Sequence, residues 1–195
     1  IDEKGFLRFT PIGGVFPLTL LGNRVVFARG LIGTFGREKP KDPQKIPGLD
    51  ELYIDVGALD KTSVPVKVGD AAAFQREFVD QGTRLLARNF DDRIGCAVLI
   101  QALRELKASS HTIYAVFTTQ EEVGVRGATT SSYIAQPDIA IAIDVTLTGD
   151  TPEAPTMAVS LGLGPAIKVK DRMMLAHPAV KELMVRAAER LRIPY

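Results

Sequence analysis

Thr112-Ile113-Tyr114-Ala115-Val116-Phe117-Thr118 is an unbroken run of β-forming residues that leads straight into Thr119-Gln120-Glu121-Glu122. No charge interrupts it, so it predicts a strand buried on both faces, as in a parallel or mixed sheet covered by helices. Asp138-Ile139-Ala140-Ile141-Ala142-Ile143-Asp144-Val145 repeats the pattern and again closes near a carboxylate. A third strand is predicted over residues 166–169. Around these runs, apolar residues recur at helical spacing. Ile94, Ala97, Val98, Ala102, Leu103 and Leu106 share one face within residues 93–107, and Val180, Leu183, Met184, Ala187 and Leu191 share another within 179–191. Residues 81–195 therefore read as an α/β domain, with a mixed sheet sandwiched by helices.

The first 80 residues are patterned differently. Short apolar runs at 6–9, 24–28, 31–35, 52–56 and 64–68 alternate with turn formers such as Pro11-Ile12-Gly13-Gly14, Gly22-Asn23, Arg29-Gly30 and Gly69-Asp70. Close spacing of short strands predicts a small β-barrel or sandwich. Residues 36–45 carry two prolines and many charges but no apolar side chain, and predict a mobile exposed loop.

Composition narrows the function. The 195 residues carry a net charge of +1, with 46% hydrophobic and 24% charged residues, and a chain of this size hides about 70% of its unfolded surface. General disorder is excluded. Mixed charge leaves no basic stripe for nucleic acid and no polybasic membrane patch, and no apolar run approaches the ~20 residues of a membrane span. The single Cys96 has no partner for an internal disulfide, which points to a reducing compartment. The chain starts at Ile1 without a methionine and stops at Tyr195 just after a helical pattern; it reads as the interior of a longer protein.

The informative residues are acidic. Glu121-Glu122 follows one apolar strand, Asp144 ends another, and Asp91-Asp92 opens a helix. Ligands of open α/β sheets bind outside the carboxyl ends of strands, so these carboxylates are expected to meet at one rim. Gathered like charges repel and raise one another's pKa unless a cation lies among them, which makes a metal site the economical reading. One of Glu121 and Glu122 would ligate while its neighbour takes a proton from a metal-activated water, and Asp91 or Asp92 would bridge two metals. Each acid also has a plainer reading: Asp91-Asp92 as a helix cap, Glu121-Glu122 as a solvated loop pair.

Imidazole, the usual companion of catalytic zinc, is scarce. His111 lies at the strand end remote from Glu121 and reads as a surface residue; His177, before Pro178, reads as a cap or surface residue. Cys96 reads as a small buried hydrophobe, and Gly162-Leu163-Gly164-Pro165 as a turn without the lysine of a phosphate loop.

Asn89-Phe90-Asp91-Asp92-Arg93-Ile94-Gly95, Thr119 to Ala128 and Ala142-Ile143-Asp144-Val145-Thr146, in that order and spacing, resemble metallopeptidase family forty-two. That family holds tetrahedral, glutamyl and deblocking aminopeptidases, often labelled cellulase or endoglucanase. Lys4 to Gly14, Lys170-Asp171-Arg172 and His177-Pro178 carry the likeness over nearly the whole chain. The resemblance implies a zinc-exopeptidase-type α/β catalytic domain, here 81–195, and a β-rich barrel-like dimerisation domain, here 1–80. It implies two divalent ions per site, zinc or else cobalt or manganese. Asp91 would bridge them, Glu122 and Asp144 would each ligate one, Glu121 would be the general base, and Asp92 would support them after a cis peptide bond. It further implies a cytoplasmic enzyme that removes N-terminal residues from peptides, as dimers assembled into a dodecamer.

One departure is large: the family's two metal-binding histidines would fall before Ile1 and after Tyr195. The 195-residue chain is therefore expected to be inactive alone. Two other readings stand beside the aminopeptidase: an assembly piece without activity, and a metal-independent glycan hydrolase working through two opposed carboxyls.

Overall fold

A computed structural model describes residues 1–40, 42 and 44–195 of the chain. They divide into two compact units, Ile1–Phe90 with Thr112–Ala135, and Asp91–His111 with Gln136–Tyr195.

The first unit is built on an antiparallel sheet of β1 (Arg24–Phe27), β2 (Ile32–Arg37), β3 (Leu52–Asp55) and β4 (Ala72–Phe74) in the order β3-β2-β1-β4. Val25 pairs with Gly33 on one side and Phe74 on the other. Leu7 extends the sheet by exchanging two 2.9 Å backbone hydrogen bonds with Ile54. Alternate residues face inward: Val25 and Phe27 of β1, Phe35 of β2, Leu52 and Ile54 of β3 are buried, joined by Leu7 and Leu20. Leu20 and Leu52 are wholly enclosed, each worth about 1.5–3 kcal/mol relative to exposure. A two-strand hairpin of β5 (Val79–Asp80) and β6 (Leu85–Leu86) follows.

The runs at 24–28, 31–35 and 52–56 thus become β1 to β3. The run at 64–68 forms no strand, because Pro65 has no amide to give a ladder; the fourth strand is β4 instead. Of the charged stretch 36–45, Lys41 and Pro43 lie outside the described residues. Gly36 and Arg37 belong to β2, and Arg37 is largely enclosed, with its guanidinium 3.7 Å from Glu51; Glu38 takes a hydrogen bond from Arg8 and donates its amide to Glu51 O. The expected exposed loop therefore starts later than the composition implied, because β2 recruits its first residues.

Helix α1 (Phe90–Glu105) is regular only from Arg93, since Asp91 and Asp92 have non-helical backbone angles. In the same unit, α3 (Pro178–Leu191) is capped by His177, whose Nδ1 accepts from the Ala179 amide at 3.3 Å. Between them a tight turn brings Lys170 opposite Leu175, held by Asp171, whose Oδ1 accepts from the amides of Met173 and Met174 at 2.7 Å. Helix α2 (Arg126–Ala135) lies in the first unit.

The strands expected at 112–118, 138–145 and 166–169 are not strands here; apart from Val169, which accepts from the Ala176 amide, they carry no ladder hydrogen bonds among the described residues. Their composition encodes burial, whereas a strand also needs a neighbour about 4.8 Å away, and no described strand lies beside them. Their apolar side chains stay open to solvent: Tyr114 is 63% exposed and Ile141 57%. The apolar face of α1 is likewise uncovered at Ile94, Val98 and Leu103, and Cys96 is half-buried rather than buried. The chain is mixed α/β, with antiparallel pairing in both sheets of the described residues.

Candidate active site

Glu121 and Glu122 sit in a tight loop between the apolar run 112–118 and α2. The Glu121 carbonyl accepts from the amides of Gly124 (3.0 Å) and Val125 (2.8 Å), and the Gly127 amide reaches Thr119 O at 3.0 Å. Gln120 and Val125 are left-handed at φ +57° and +55°. A β-branched residue there costs of order 1–3 kcal/mol, and such strain persists where surroundings over-determine the backbone, often at functional sites. Gly127 makes the closure possible: a Cβ there would meet Thr119 O at 2.5 Å and Thr119 N at 2.6 Å.

Gly13, far away in sequence but in the same unit, meets this loop. It is left-handed, at φ +77°, and the position of a Cβ on it lies 3.5 Å from both Glu122 Cβ and Glu122 O and 3.7 Å from Oε2. The Pro11 to Gly14 turn was legible in the sequence; that it lies against Glu122 was not, since nothing local links positions so far apart.

The aspartates lie in the second unit. Asp92 Oδ1 accepts the Gly95 amide at 3.0 Å, so Asp92 does cap α1. Buried Gly95 leaves it room: a Cβ at 95 would press on both carboxylate oxygens, 2.6 Å from Oδ1. Burial pushes the Asp92 carboxyl above its ordinary range, with the charges of Asp144 and Asp91 adding to the rise and the Gly95 hydrogen bond opposing it. Asp144 is exposed and takes the Val145 amide on Oδ1 at 2.7 Å. The Asp91–Asp92 peptide bond is cis, as the resemblance implies.

The structure thus brings Asp91 and Asp144 each within electrostatic reach of Asp92 in one unit and sets Glu121 and Glu122 side by side in the other. In donor chemistry these residues fit a divalent cation: they offer hard carboxylate oxygens, and Asp92 carries the like-charge stress that a cation relieves. In number they are few. Among the described residues no three or more of His, Cys, Asp and Glu form a group that could hold a metal ion. His177 is occupied as a cap, and His111 is exposed, its amide bonded to Ser109 Oγ.

Fold and acids together define a mixed α/β protein with carboxylates gathered at a helix start and on a strained loop. The family described as M42 glutamyl aminopeptidase matches residues 1–195, and the chain belongs to it. A relative from Acetivibrio thermocellus is 47% identical over 197 residues, covering 100% of this chain and 60% of its own length. The solved aminopeptidase of the archaeon Desulfurococcus kamchatkensis is similar at 44% identity and a TM-score of 0.91, over 100% of this chain and 58% of its own. The Pyrococcus horikoshii TET1 peptidase, which can assemble into a tetrahedron or a large octahedral shell, is similar at 30% identity and a TM-score of 0.76, over 100% and 62%. The chain spans about three-fifths of the length of these relatives. Among the described residues no helix is long and apolar enough to cross a membrane.

Proposed function

We propose that the whole protein is a cytoplasmic aminopeptidase that depends on two divalent metal ions and removes N-terminal residues from peptides, as a homo-oligomer built from dimers up to a dodecamer. Membership of the M42 family over residues 1–195 carries the reading. The assembly of the similar TET1 peptidase supports the oligomer.

Asp91 would be shared by the two ions, Glu122 and Asp144 would each hold one, and Asp92 would support them while capping α1. The charges of Asp144 and Asp91 reach Asp92, which supports a cation beside these three aspartates. When bound, such ions polarise the scissile carbonyl and acidify water. Glu121 is the general base: it takes the proton of the attacking water and passes it to the leaving amine. Its place beside Glu122 on a backbone fixed by the amides of Gly124 and Val125 supports that division of labour, because a base needs a constant position. The chain of 195 residues, without further ligands, is inactive by itself.

Glu121→Gln in the whole protein tests the assignment. Turnover should fall about 10²–10⁴-fold, the usual share of a general base, with metal content unchanged. Near-normal turnover would remove Glu121 from the role.

A further inference from the structure

A hollow of about 640 Å³ opens against the inward-facing side chains of the β3-β2-β1-β4 sheet. The residues that line it all belong to the first unit. Its floor is buried core: Val25, Phe27, Phe35 and Ile54. Three lining rings follow one another, the Phe35 centroid lying 5.1 Å from that of Phe9 and 6.3 Å from that of Phe74. Protein interiors hold few voids larger than a water molecule, whereas pockets that bury small molecules run to about 300–1,000 Å³. The lip is apolar and open to water: Ile12 is 70% exposed and Val68 89%. Covering such surface is favourable.

The mouth also carries charge. Lys67, Asp70 and Arg88 line the hollow and are exposed. Arg88 is held in place by donating from Nη1 to Phe74 O at 2.6 Å. Asp70 turns back on its own segment, its Oδ2 accepting the Lys67 amide at 2.9 Å. Arg8 lines the hollow too, but is paired with Glu38. Among the described residues neither Lys67 nor Arg88 has an ion-pair partner, so two uncommitted cations stand beside one acid.

Walls and charge together select the occupant. A peptide seated on methyl and ring carbons would leave its amides without partners, which is costly; an acyl chain brings no such groups. A carboxylate head complements the cations at the mouth. We propose that this hollow binds a fatty acid, with the chain along Phe9, Phe35 and Phe74 and the carboxylate at Lys67 and Arg88. Ala72 offers the means to close it. It pairs with Phe27 across the ladder, so the two side chains share a face, and it lines the hollow. A larger side chain at 72 takes the space of the acyl chain.

The test titrates the whole protein with decanoate and with decanol, whose head is uncharged, by calorimetry. Decanoate should bind saturably and about 2–5-fold more tightly than decanol, the usual reach of an exposed ion pair. Lys67→Gln should shrink that preference and leave decanol binding as in the parent. Ala72→Phe should abolish binding of both while the melting temperature stays near the parental one. Ala72→Met, with a more adaptable side chain, decides the matter if the Phe variant does not fold. Absence of saturable decanoate binding would overturn the site, as would parental binding in the folded Ala72 variants. Equal affinity of the parent for decanoate and decanol would overturn the fatty acid as its ligand.

Discussion

Replacing Gly127 with alanine in the whole protein tests whether the acid loop is the working part of the site. The new Cβ would stand 2.5 Å from Thr119 O, against the 3.4 Å at which ordinary contact begins. The atoms it meets are backbone, so the loop between Thr119 and Gly127, which carries Glu121 and Glu122, must open by about 0.9 Å. A displacement near 1 Å at a catalytic group costs about 10²-fold in rate, or about 2.7 kcal/mol of barrier. Helix propensity acts the other way, since Gly127 lies in the first turn of α2 and alanine favours a helix by about 1 kcal/mol over glycine. Folding should therefore survive while kcat falls. The assay is release of a chromophore from an aminoacyl anilide, beside circular dichroism and Gly14→Ala as control. A folded Gly127→Ala protein with parental kcat would show that the position of this loop does not govern turnover.

Two further outcomes concern stability. Leu52→Ala removes a wholly enclosed side chain from the sheet core and should cost about 2–5 kcal/mol in urea unfolding; a loss below about 1 kcal/mol would mean the core packs otherwise. Asp60 takes hydrogen bonds from the Thr62 hydroxyl (2.7 Å) and the amides of Thr62 (2.8 Å) and Ser63 (2.9 Å). The Thr62 hydroxyl first, then the Ser63 amide, hold its carboxyl below the ordinary 3.8. A depressed folded value means the contribution is complete above 3.8 and fades as pH falls through the lower folded value. Asp60→Asn should flatten that acid limb of stability, and an unchanged slope in unfolding at successive pH values would show that these hydrogen bonds contribute nothing.

How much of this was legible from sequence depended on whether the signal was local. Strands β1 to β3 were readable because alternate residues such as Val25 and Phe27, or Leu52 and Ile54, point one way into a single core. Strand β4 has only Phe74 as a large apolar residue and was missed in favour of 64–68. Helix α2 was also missed: Thr129, Thr130 and Ser131 are weak helix formers, and their hydroxyls return hydrogen bonds to carbonyls of the preceding turn, Thr129 to Val125 and Ser131 to Gly127. Residues 112–118 and 138–145 announce burial that the described residues do not supply, in a chain that spans about three-fifths of its relatives. The acids stood out because charge at the end of an apolar run is conspicuous, and the cap on Asp92 followed from its place in the first turn of α1. The approach of Gly13 to Glu122 left no local trace, since only the folded chain brings them together.

In the proposed site Asp91, Glu122 and Asp144 would hold two metal ions beside Glu121. Anomalous diffraction from crystals of the whole protein soaked in Zn²⁺ measures it directly. Two peaks per chain are expected, both touching Asp91, one also touching Glu122 and the other Asp144. Peaks placed elsewhere, with none at these carboxylates, would contradict it.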